Sequence, residues 1–202
     1  MAEILVLVHS VHGNTLSMAR EVARGVESVD GMNARLRSVT PVTSALEPKK
    51  RELPADGPAV VERSDLDECA GLILGSPTRF GNMASAMKHF LDGTGSEWFS
   101  GTLAGKPAGV FTSTATLHGG QESTLLTMMV PLLHHGMLIV GLPYTEKRLT
   151  TTTTGGTPYG PSHWAGPDSD RAVDGDEIHL CRLLGKRVAR AAVGLAGSPV
   201  DA

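Results

Sequence analysis

Cysteine is nearly absent from this chain. Cys69 and Cys181 stand alone, in no CxxC spacing. That excludes a disulfide framework and a zinc site, and leaves two thiols for a core or helix face in a reducing compartment. An excess of charge of either sign is missing too: 18 basic residues face 21 acidic ones, a net charge of −3. With no basic stripe, nucleic acid is not an expected partner. Acidity this mild does not steer the chain toward a basic partner either. No apolar run approaches the roughly 18 residues of a membrane span, so no integral membrane segment is expected. No basic-then-apolar leader precedes the first strand, which points to the cytoplasm. No repeat and no second domain is apparent, so residues 1–202 are expected to form one domain. Aromatics make up only 4% of the chain, while glycines number 24, the usual material of loops where backbone meets backbone or ligand.

What is present alternates. Glu3 to Val8 reads as a strand buried on both faces, because its apolar residues from Ile4 on are consecutive. A helix follows from about Thr15 to Val26, with Leu16, Ala19, Val22, Ala23 and Val26 on one side. Asn33 to Val39 is a weaker strand in which arginines alternate, as at a sheet edge. Residues 40–63 hold four prolines and the run Lys49-Lys50-Arg51, which predicts a long surface excursion. The stretch "LDECAGLILGSP" predicts a short helical turn and then a third strand at Gly71 to Gly75; a short helix at Met83 to Leu91 and a fourth strand within Lys106 to Thr112 follow. A helix at Thr124 to Leu133 and a fifth strand at Met137 to Val140 come next. The last helix runs from about Asp176 to Val193, with Asp174 and Glu177 forming a capping box. Between them, residues 141–172 are rich in Thr, Gly and Pro, and loops that long are usually functional or disordered. Strands alternating with helices predict an α/β fold: a doubly wound, five-stranded parallel sheet of flavodoxin-like order 2-1-3-4-5.

Ligands of such sheets bind beyond the carboxyl ends of the strands. That selects three loops: Ser10 to Thr15, Pro77 to Gly81, and Ser113 to Gly120, all rich in Ser, Thr and Gly. The first, "HSVHGNT", runs into a helix N-terminus, where free amides and the helix dipole favour an anion. It lacks GxGxxG and an acidic residue about twenty positions on, so it is not a dinucleotide turn; it lacks GxxxxGK[ST], so it is not a P-loop. The three loops carry no aspartate cluster for a phospho-accepting receiver. A terminal phosphate monoester held by neutral donors remains. "SPTRFGNM" and "STATLHGGQE" suit the edges of a flat heterocycle. No Ser-His-Asp arrangement and no metal constellation is apparent. The segment "TLLTMMVPLLHHGM" is apolar on nearly every side, which predicts that its outer face meets a second subunit.

The motifs "HSVHGNT", "GSPTRFGNM", "TSTATLHGGQE", "LHHGM" and "GGTPYG", in order from Ile4 to about Leu195, resemble the WrbA family of flavodoxin-like NAD(P)H:quinone oxidoreductases. The resemblance implies FMN as cofactor, NADH or NADPH as co-substrate, a homotetramer, and two-electron reduction of quinones. It places the FMN phosphate at Ser10, Val11, His12, Gly13, Asn14 and Thr15, and the isoalloxazine against Pro77, Thr78, Arg79, Phe80 and Gly81. Its other edge lies against Ser113, Thr114, Ala115, Thr116, Leu117, His118 and Gly119. His134 approaches the flavin as a hydrogen-bond donor, and His12 and Trp98 are tied to the nicotinamide and the quinone. The sequence departs from the pattern at His12, often Tyr in the family, and in the longer loop 116–120. One alternative is a flavodoxin-type one-electron carrier, but such carriers are strongly acidic with aromatic flanks, and no Tyr or Trp lies in the three loops. Another is a non-enzymatic regulatory FMN-binding protein.

Overall fold

The computed structural model describes residues 1–43 and 54–196. The basic run Lys49-Lys50-Arg51 lies outside the described residues. The elements in chain order are β1 (Ala2–Val8), α1 (Asn14–Glu27), β2 (Met32–Ser38), α2 (Arg63–Glu68), β3 (Gly71–Pro77), α3 (Ser85–Asp92), α4 (Gly95–Phe99), β4 (Pro107–Thr114), α5 (Gln121–His134), β5 (Leu138–Ile139), α6 (Arg148–Thr151), β6 (Ser162–Trp164) and α7 (Gly175–Leu195).

The sheet is parallel in the order β2-β1-β3-β4-β5, as the alternation of strands and helices predicts. Successive residues of the apolar runs face opposite layers. Ile4, Val6 and Val8 of β1 join Ile73 and Phe111 beneath α1 and α7. Leu5 and Leu7 join Leu72, Leu74 and Val110 beneath α3 and α5. The α1–α7 layer is tight because glycines face backbone there. A Cβ on Gly185 would lie 2.1 Å from the Val22 carbonyl oxygen, and one on Gly25 would lie 2.1 Å from that of Arg182. Asp174 and Glu177 do form the capping box expected at the start of α7.

Three elements go beyond the sequence-based expectation. The helices α4 and α6 are short, and β6 is a sixth strand inside the segment expected to be loop. Because β5 pairs with β4 only at Pro107 and Ala108, the rest of that β4 edge is open, and β6 pairs there with Thr112, Ser113 and Thr114. Three polar-to-aromatic residues carry no alternation to announce a strand; the open edge supplies it. No helix among the described residues is long and apolar enough to cross a membrane.

Candidate functional site

The parallel strands deliver all three loops to one edge. Beyond β1, Gly13 caps α1 in the left-handed region at φ 89°, with no side-chain cap. The Ser10 hydroxyl accepts from the Leu16 amide at 3.3 Å, leaving its own hydrogen to donate. No described residue accepts from the amides of Val11, His12, Gly13, Asn14 or Thr15, the orphan donors of a helix start. A Cβ on Gly13 would meet nothing within 4 Å, so the turn is open to a ligand.

Beyond β3, the Thr78 amide donates to the Ser113 carbonyl at 3.0 Å, which fixes the second loop against the third. Arg79 and Asn82 exchange both backbone bonds, at 2.7 and 3.1 Å, closing a tight turn. Its two central residues, Phe80 and Gly81, have φ of 54° and 77°. Glycine takes this conformation freely; phenylalanine is strained in it, at a cost of order 1 kcal/mol. The ring of Phe80 is wholly exposed at the rim. Beyond β4, the turn is wired from beneath by polar side chains. The Ser162 hydroxyl donates to Gln121 Oε1 at 2.6 Å, Gln121 Nε2 to Thr114 Oγ1 at 3.1 Å, and Thr114 Oγ1 to the Thr116 carbonyl at 2.7 Å. Residues 115–118 themselves are exposed.

A cavity of about 190 Å³ lies where the loops meet. It gathers Ser10, Val11, His12, Asn14, Thr15, Pro77, Thr78, Arg79, Ser113, Thr114 and Ala115. Arg79 therefore brings to the cavity the cation that "HSVHGNT" lacks, although its Nη1 is tied to the Thr78 carbonyl at 2.7 Å. Asn14 is partly spent: its Nδ2 donates to the Ser169 carbonyl at 2.9 Å. Larger hollows of about 480 and 830 Å³ flank α3, but of the three loops they hold only Arg79. The smaller cavity, lined by all three loops, is the one the open-sheet rule selects.

The cavity has a fourth wall that none of the three expected loops supplies. Ala165 and Ser169 line the cavity, and Trp164 Nε1 donates to the Ala115 carbonyl at 3.1 Å. So a tryptophan does stand beside the third loop, under the Arg171 guanidinium at 4.2 Å. The available signals were the unusual length of residues 141–172 and the turn-forming stretch "GPDSD".

His134 and Trp98 are not brought to these loops within the chain. Gln121, at the start of α5, is at the site, but the 14 residues of that helix place His134 roughly 20 Å along the axis. There His134 stacks on Trp98, with ring centroids 5.4 Å apart and planes 23° apart. The pair borders a cavity of about 390 Å³ together with Val130, Pro131 and His135. Burial pushes the His135 imidazole below its usual value and neighbouring His134 adds to this, against the opposing pull of Glu97. Beside the pair, Phe99, Val130 and Leu133 are exposed, as is Leu126 further along α5.

A family model described as NADPH-dependent FMN reductase matches residues 2–145. The chain belongs to the NADPH-dependent FMN reductase family. Its relatives agree with that placement over nearly the whole length. It is 46% identical to an NAD(P)H dehydrogenase (quinone) of Trichlorobacter lovleyi, over 94% of this chain and 97% of that one. A protein of the same name from Solidesulfovibrio magneticus is 43% identical, over 92% and 95%. Among solved structures, a WrbA-like flavodoxin of Agrobacterium tumefaciens is 28% identical with a TM-score of 0.68, covering 96% and 99% of the two chains. An archaeal flavodoxin, at 19% identity, TM-score 0.62 and coverage of 95% and 99%, shares the fold. For an FMN reductase family member the cavity fits: acceptor-free amides at a helix start suit a phosphate monoester, with loops rich in backbone donors on either side.

Proposed function

We propose that this chain, one flavodoxin-like unit over residues 1–202, is an FMN-dependent NAD(P)H:quinone oxidoreductase that works in the cytoplasm as a homotetramer. The observation that carries the reading is that no described residue accepts from the amides at the start of α1, beside a cavity that the other two loops complete. The amides of residues 11–15, with the hydroxyls of Ser10 and Thr15, hold the phosphate. Pro77, Thr78, Arg79, Phe80 and Gly81 line one side of the flavin, and Ser113 to Gly119 the other. Bound there, FMN supplies two-electron redox chemistry between a nicotinamide and a quinone. Overall, NAD(P)H, a proton and a quinone become NAD(P)+ and a hydroquinone.

The residues of the chain bind, orient and donate. Backbone donors of the turn at 115–118 stabilise charge on the cofactor's edge. His12, exposed at the cavity mouth, meets the nicotinamide. His134 and Trp98 serve the flavin of a neighbouring copy, His134 donating to the quinone oxygen and Trp98 walling its pocket. Two things support this. The pair lies a helix length from its own loops, and it borders an exposed apolar face that includes Val130 and Leu133. The unpaired, buried thiols of Cys69 and Cys181 suit a reducing compartment.

The test is NADH or NADPH oxidation with benzoquinone by the FMN-loaded protein. Turnover with one hydroquinone formed per nicotinamide oxidised is expected. Absence of quinone turnover, with the flavin bound, would make the chain a carrier or regulatory protein.

A further inference from the structure

One buried carboxylate has no part in the chemistry above. Glu177 is wholly inaccessible, and both of its oxygens are occupied. Oε1 accepts from the amides of Gly155 at 2.9 Å and Trp164 at 3.0 Å. Oε2 accepts from the Asp174 amide at 3.0 Å and from His163 Nδ1 at 2.7 Å. His163 is equally buried, and its Nε2 lies 3.1 Å from the Arg171 carbonyl. A capping box needs only the Asp174 bond, and an exposed glutamate would make it at no desolvation cost. Burying a carboxylate costs several kcal/mol unless it is well bonded. Here the further bonds tie residues 155, 163, 164 and 171 to the start of α7.

What lies between the tied points is residues 165–171, the fourth wall of the cavity. The Ala165 amide donates to the Thr114 carbonyl at 2.8 Å, and the Arg171 amide to the Ala165 carbonyl at 3.0 Å. At the tip, Ser169 has φ 58° and its carbonyl receives Asn14 Nδ2. The loop is therefore held at its base by the buried pair and at its tip by the helix that starts the cavity.

We infer that the buried His163–Glu177 pair positions the fourth wall of the phosphate cavity, by fixing both ends of residues 165–171 so that Ser169 stands against Asn14 around a phosphate monoester. Both are positioning residues: they act through the loop and touch no ligand. The inference rests on the reading of this cavity as the FMN phosphate site.

The test compares FMN with riboflavin, which lacks the phosphate, by titrating flavin-free full-length protein. In His163→Asn the side-chain amide can replace Nδ1 toward Glu177 but cannot reach the Arg171 carbonyl. In His163→Gln the longer amide can serve Arg171 instead. Ser169→Pro moves the loop tip without touching the pair. His163→Asn and Ser169→Pro are expected to weaken FMN about tenfold, one hydrogen bond's worth, and to leave riboflavin unchanged. His163→Gln should lose less than His163→Asn. If His163→Asn holds FMN as the wild type does, or loses FMN and riboflavin alike, the inference is overturned; Ser169→Pro doing either shows that the loop is no wall of the site and overturns it too. If His163→Asn does not fold, His163→Gln is read in its place, and a fall in FMN affinity no larger than that in riboflavin affinity overturns the inference. A wild type that binds no FMN would overturn the functional reading itself, whereas a binding wild type with matching variants overturns only this inference.

Discussion

Replacing Ser10 by Ala and Thr15 by Val together removes the two hydroxyls of the first loop while keeping its backbone. Thr15→Val preserves the β-branch and volume at a position that is only 2% exposed. Ser10→Ala also removes the acceptor of the 3.3 Å bond from the Leu16 amide, a loss of about 1 kcal/mol of stability for a neutral hydrogen bond. Toward a phosphate the hydroxyls act as donors to a charged acceptor, at about 1.5–3 kcal/mol each. The amides of residues 11–15 remain and take up part of that loss, so the double variant should weaken FMN by about 2–4 kcal/mol, or roughly 30-fold to several hundredfold. The assay is quenching of flavin fluorescence, run in parallel with riboflavin, whose affinity should not move. Unchanged FMN affinity, or an equal fall for both flavins, would mean that the phosphate lies elsewhere.

On the proposed assembly, Val130→Asp with Leu133→Asp should break up the oligomer in sedimentation and abolish quinone turnover while FMN stays bound. Gly185→Ala should destabilise the fold by about 2–3 kcal/mol in urea unfolding, because its Cβ would fall 2.1 Å from the Val22 carbonyl oxygen and force α1 and α7 apart. Burial pushes the Asp65 carboxyl up, but the Glu62 amide and the Arg35 and Arg37 guanidinia outweigh it and hold it below the usual carboxylate range. Its contribution to stability is therefore complete above the unfolded value of about 3.9 and is lost as the pH falls through the lower folded value. Asp65→Asn should cost about 1–3 kcal/mol at neutral pH and flatten that acid limb in thermal melts, since its arginine partners are partly solvated.

The scaffold was legible because its signals are local. Consecutive apolar residues announce β1 and β3, helical spacing announces α1 and α7, and the alternation of the two fixes a parallel sheet. That sheet in turn predicts which loops meet. The buried faces shift in detail: Met18 and Gly25 are fully buried, while Leu16 and Ala23, expected on that side, are only partly so. The fourth wall was not legible. Asn14 meets Ser169 across 155 positions, and β6 exists only because β5 leaves a strand edge open. Nor does anything local place His134 far from its own loops; that follows from the length of α5. The scarcity of aromatics in the three loops was real, yet Trp164 reaches the third of them from another strand.

The FMN-loaded protein is proposed to pass electron pairs from a nicotinamide to a quinone. The most direct measurement is anaerobic: one equivalent of NADH or NADPH is added to the yellow holoprotein, then one of benzoquinone, while flavin absorbance and hydroquinone are followed. The flavin band is expected to bleach fully, then to return as one hydroquinone forms per nicotinamide. A protein that takes up no FMN, or a bleached flavin that benzoquinone does not restore, would contradict that proposal.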